Sequence, residues 1–92
     1  MINDSSLKLI AHMCSQEITK KYNIAVVKNS TEDGTYTNFV TRSIISKAIA
    51  QLDLQISSSD TDTIDRIKND AKFEQYLIEQ LTITVQGIRL FY

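Results

Sequence analysis

His12 and Cys14 are the only histidine and the only cysteine in this 92-residue chain, so any thiol–imidazole chemistry would have to be theirs. A cysteine nucleophile needs its base within hydrogen-bond reach. Two positions apart on a helix, side chains point about 200° away from each other and cannot meet. No third group is identifiable that would orient the imidazole, and one His with one Cys cannot supply the usual four ligands of a structural zinc. Cys14 therefore reads as a small buried hydrophobe.

Asp60, Asp62 and Asp65 suggest calcium, but an EF-hand loop opening at Asp60 needs Gly at its sixth position and Glu at its twelfth. Those positions hold Asp65 and Ala71. The three acids suit the first turns of a helix, where the dipole favours negative charge. The two glycines, Gly34 and Gly87, lie in opposite halves of the chain and cannot form a phosphate-cradling loop. Two carboxylates could converge for acid–base work, yet no pair is singled out. No catalytic, cofactor-binding or metal-binding residue is expected, and the chain is read as a non-enzyme.

Composition narrows the field further. Apolar residues make up 42% and charged residues 23%, ordinary globular usage. The net charge of −1 gives no general attraction to phosphates or anionic membranes, and the ten Lys and Arg are spread from Lys8 to Arg89 among acids. One cysteine excludes an internal disulfide. Met1–Ser6 shows neither a basic region nor an apolar signal core, and no run approaches the ~20 apolar residues of a membrane span. A cytoplasmic protein without a membrane partner is expected. Frequent Ile, Asn, Lys, Ser and Thr match the usage of AT-rich genomes, many phages among them.

The elements that must position these residues read as helices. With no proline and two glycines, the chain lacks the repeated turn chemistry of a barrel or sandwich. The expected fold is a single domain over 1–92, mostly α, a small bundle of three helices, or four. The first helix has Asp4, Ser5 or Ser6 as its N-cap and a stripe of Leu7, Ile10, Ala11, Cys14 and Ile18. Ile24–Val27 is short and β-branched, and Asp33-Gly34 is the strongest turn signal. Together they suggest a β-hairpin at 24–39, pairing Ile24–Val27 with Tyr36–Phe39, or alternatively a mobile helix–helix loop.

A second helix is expected from Asn38, with Thr41, Ile44, Ile45, Ala48, Ile49 and Leu52 as its apolar stripe. Ser57–Ser59 reads as a surface connection. The third helix opens at Asp60 and carries Ile64, Ile67, Ala71, Ile78, Leu81, Val85 and Ile88 on one line, with Phe73, Tyr76 and Leu77 on a second face. A single long helix is preferred over one ending near Leu81 and followed by a strand. A helix apolar on two sides is packed between neighbours or belongs to an interface.

The feature weighed most is Val85–Tyr92, which holds Ile88, Leu90, Phe91 and Tyr92. Leaving each in water would forgo roughly 1.5–3 kcal/mol, so they should pack into the domain's own core or into another chain. With Tyr36, Phe39 and Tyr76 they form the candidate partner-binding set. The expected function is a non-enzymatic protein–protein interaction module, meaning an adaptor, inhibitor or assembly subunit, bound to another protein or to itself. The alternative is a small helix-turn-helix DNA-binding regulator that gathers Lys20, Lys21, Lys28, Arg42 and Lys47. It is less favoured because the helix after Ser57–Ser59 opens with three acids that would meet phosphates.

Overall fold

The computed structural model describes residues 3–52, 54 and 56–89. Five α-helices follow in chain order: α1 Asp4–Lys21, α2 Ile24–Asp33, α3 Arg42–Ala50, α4 Thr61–Lys68 and α5 Ala71–Arg89. A short 3-10 helix, Thr35–Phe39, stands between α2 and α3. The architecture is mostly α, with more helices than the three or four expected and no strand among the described residues.

The α1 stripe is buried as its spacing predicts: Leu7, Ile10, Ala11, Cys14 and Ile18 all face the core, with Ser15 beside them. The helix starts one residue before the expected caps, because the Asn3 side-chain oxygen accepts the Ser6 N–H at 2.8 Å. Lys20 and Lys21 fill the last turn, where the carbonyl end of the dipole favours cations.

The hairpin at 24–39 is not formed, and this corrects the sequence reading. Ile24–Val27 is the first turn of α2, despite its β-branched residues. The Asn23 side chain accepts the Ala25 N–H at 2.8 Å and opens the helix. Val27 and Ser30, three apart, put one face into the core. Gly34, at φ +85°, ends the helix as a left-handed cap. Asp-Gly satisfies a helix stop as well as a hairpin turn, since both want positive φ at glycine. Asp33 then accepts the Thr35 N–H and hydroxyl at 2.9 and 2.6 Å and starts the 3-10 turn over Tyr36–Phe39.

Thr41, not Asn38, caps α3, with its hydroxyl accepting the Ile44 N–H at 3.2 Å. Ile44, Ile45, Ala48 and Ile49 are buried. The expected third helix is two helices. Asn69 closes α4, and the Asp70 carboxylate accepts the Lys72 and Phe73 N–H groups at 2.8 and 3.3 Å to open α5. That break resets the helical phase. The buried line of α5 is Phe73, Leu77, Leu81 and Val85, while Ala71 is exposed and Ile78 half-buried. The helix continues through Thr82–Val85 to Arg89, with no strand there. The hydroxyls of Thr82 and Thr84 donate to the Ile78 and Gln80 carbonyls at 2.7 and 2.8 Å, which suits both residues to a helix.

The core lies between α1 and its neighbours α5, α3 and α2. Contacts step the same way along α1 and α5, Asp4 with Tyr76 and His12 with Gln80, so these two long helices run in the same direction. No described helix is long and apolar enough to cross a membrane.

Candidate functional site

The groups with intrinsic chemistry are separated. Cys14 is fully buried, and loss of hydration, with the Glu17 charge nearby, pushes its thiol up to about 12. A thiol so raised carries no appreciable thiolate at neutral pH. His12 is exposed on α1, where Nδ1 lies 2.9 Å from Gln80 Oε1 and Nε2 lies 3.1 Å from Gln16 Nε2. An Nδ1–H donor and an Nε2 acceptor satisfy both contacts, so the ring serves as a polar bridge between α1 and α5.

The acids at the start of α4 are likewise engaged. The Asp60 carboxylate caps the helix and accepts the Thr63 hydroxyl at 2.8 Å. Those bonds, led by the Thr63 hydroxyl, hold Asp60 below the usual carboxylate range. Asp65 receives a two-pronged bond from Arg42, at 2.8 and 2.7 Å, which ties α3 to α4. Among the described residues, no group of three or more His, Cys, Asp or Glu is placed to hold a metal ion.

The residues expected to bind a partner fall into two groups. Tyr36 is only 5% exposed, and its hydroxyl donates to Glu74 at 3.2 Å. Burial, then the Glu74 charge, raise its phenol. Phe39 is half-buried with its ring 4.4 Å from that of Tyr22. Tyr76 is half-buried, donates to Asp4 at 2.6 Å and carries Lys8 Nζ 5.3 Å above its ring. All three make contacts within the chain. Ile88 belongs to α5. Leu90, Phe91 and Tyr92 lie outside the described residues, and the side chain of Ile88 does too.

Exposure identifies apolar residues that pattern reading passed over: Leu9, Val26 and Ile83, with Ile83 the most open at 62%. A signal was present for two of them. Leu9 stands about 200° from Leu7 and so off the α1 stripe, and Ile83 belongs to neither apolar line of its helix.

Hollows lined by described residues flank α5 at two places. Near its start, a cleft of about 240 Å³ has a buried floor of Tyr36, Val40, Phe73 and Leu77 and an exposed rim bearing Lys68 and Glu74. Further along, a groove of about 220 Å³ between α2 and α5 is walled by Lys28, Thr31, Glu32, Thr82 and Gln86, with Val85 its one apolar side chain. Both are smaller than the ~300–1,000 Å³ of typical small-molecule pockets. Comparison with protein-family models, curated proteins and solved structures finds no match to this chain.

Proposed function

We propose that this protein is a non-enzymatic binding module, an adaptor, inhibitor or assembly subunit, that contacts another protein through the C-terminal half of α5 and the apolar residues after it. Ile83 carries the reading. It is a large aliphatic side chain 62% open to water, on the helix that leads into Ile88, Leu90, Phe91 and Tyr92. Burying such a side chain contributes roughly 1.5–3 kcal/mol, and a partner is what would supply the cover.

The nucleic-acid reading draws less support. Arg42 is committed to Asp65, Lys20 and Lys47 both act on Glu17, and Lys28 shares its groove with Glu32. Carboxylates beside these cations offset the charge that a phosphate backbone would meet.

The test is affinity capture from the native host with the tagged chain and with Ile83→Glu, each with and without nuclease. A stoichiometric protein that survives nuclease and disappears with Ile83→Glu is the expected result. Capture that depends on nucleic acid, or that Ile83→Glu leaves unchanged, would sink the proposal.

A further inference from the structure

We infer that Asp33-Gly34 is a latent site of isoaspartate formation, held intact in the fold through Thr35 and reactive once the end of α2 opens.

The chemistry belongs to the pair itself. Asp33 is the only aspartate in the chain that a glycine follows, and glycine has no Cβ to crowd an approach to its backbone nitrogen. That nitrogen gives up its proton and bonds to Asp33 Cγ, while the carboxyl hydroxyl leaves with a proton as water. The product is a five-membered succinimide. Water then reopens the ring. Attack at the side-chain carbonyl restores aspartate, whereas attack at the backbone carbonyl leaves the main chain running through Cβ. One water leaves and one returns, so the mass is unchanged and no oxidant or further reactant is needed.

Crowding does not hold the reaction back. Asp33 and Gly34 are both exposed, and a Cβ placed on Gly34 would meet nothing within 4 Å. Local conformation does. Asp33 is the last residue of α2. An α-helical ψ is about −42°, whereas ring closure eclipses Cβ with the next nitrogen at ψ near about −120°, outside the allowed regions for an L-residue. The carboxylate is occupied as well, because Oδ1 accepts the Thr35 N–H at 2.9 Å and the Thr35 hydroxyl at 2.6 Å. Those bonds, the hydroxyl first, hold the carboxyl below its ordinary 3.8 and keep scarce the protonated form that can release water.

Both restraints end together. Helix termini open locally at far lower cost than the core, and opening the last turn of α2 frees ψ and the carboxylate at once. The product cannot return to the same arrangement. Isoaspartate adds one carbon to the main chain just ahead of the 3-10 turn that carries Tyr36 into the core. It also turns the carboxyl that Thr35 held into part of the peptide link.

The experiment follows isoaspartate in the full-length chain, in Thr35→Val and in Thr35→Ser, each incubated at neutral pH folded and in guanidinium chloride. The folded samples are kept below the onset of every variant's circular-dichroism melt. Trypsin releases Asn29–Arg42. Isoaspartate is read as a second elution peak of that peptide at unchanged mass, located at residue 33 by electron-transfer fragmentation. The denatured chain is expected to convert about tenfold faster than the folded one, or more. Folded Thr35→Val is expected to convert several-fold faster than the unaltered chain, and Thr35→Ser, which keeps the hydroxyl, to stay slow. In denaturant the three chains should convert alike. Conversion of the folded chain as fast as the denatured one overturns the inference, as does a folded Thr35→Val rate equal to that of the unaltered chain. A Thr35→Val rate raised equally in denaturant also overturns it, since Thr35 would then act without the fold.

Discussion

Ahead of Gln80, α5 is tied to its surroundings by polar bonds as well as packing. Asp70 caps it, Glu74 receives Tyr36, Tyr76 reaches Asp4, and Lys72 Nζ lies 3.7 Å from the same carboxylate. Beyond Gln80 the inner face is as well buried, with Leu81 and Val85 in the core, but Thr82 and Thr84 bond back into their own helix and Ile83 faces water. Among the described residues, then, α5 has a first half fixed on several sides and a second half, as far as Gln86, whose contacts are those of its inner face. Ile83 stays open to water without loosening that inner face, and under the proposed function it is the side chain a partner would cover.

The largest effect should come from the fixed half. Phe73→Ala empties a side chain that is 1% exposed and is expected to cost about 3–5 kcal/mol in urea unfolding. Asp70→Ala removes the cap that separates α4 from α5 and should cost about 1 kcal/mol by the same measurement. Ile83→Ala, in the open half, should move stability by less than about 0.5 kcal/mol. A loss comparable to that of Phe73→Ala would mean Ile83 is packed within the chain, and the contrast between the halves would fail.

Titration sharpens the same contrast. The Tyr76 hydroxyl, followed by the charges of Lys72 and Lys8, holds the Asp4 carboxyl below its ordinary 3.8. A carboxyl depressed in the folded state contributes stability above its unfolded value, and that contribution is lost as pH falls through the lower folded value. Tyr76→Phe should return the Asp4 titration, followed by NMR, toward 3.8 and flatten the acid limb of stability. The smallest effect expected is at Cys14. Because burial pushes its thiol up to about 12, a thiol reagent at pH 8 should modify the native chain no faster than it unfolds.

Much of the fold was legible because amphipathic spacing is a local property. The α1 stripe and the Ile44–Ile49 face of α3 repeat at helical intervals and are buried as read. Asp33-Gly34 was legible as a chain reversal but not as which kind, since a hairpin turn and a left-handed helix cap ask the same conformation of glycine. Across Asn69-Asp70 the apolar line of Ile64, Ile67 and Ala71 runs on without a break on paper, and only the bonds that the Asp70 carboxylate accepts from the Lys72 and Phe73 N–H groups show that a new helix begins. The exclusion of His12 with Cys14 as a pair followed from helical geometry, and the structure sets one on the surface and the other in the core.

Residue types and periodicity by themselves determined that this chain is helical, which residues of α1 and α3 face inward, and that its chemistry-bearing side chains are too sparse to signal an active site. Each of those follows from interactions within a few residues. Tertiary structure decided the rest. Ile24–Val27 became helix because Val27 and Ser30 gain a core to face, Tyr36 and Tyr76 turned to acids on distant helices, and Ile83 was left outside while Leu81 went in. These outcomes depend on which surface another element covers, and no local pattern of residues encodes that.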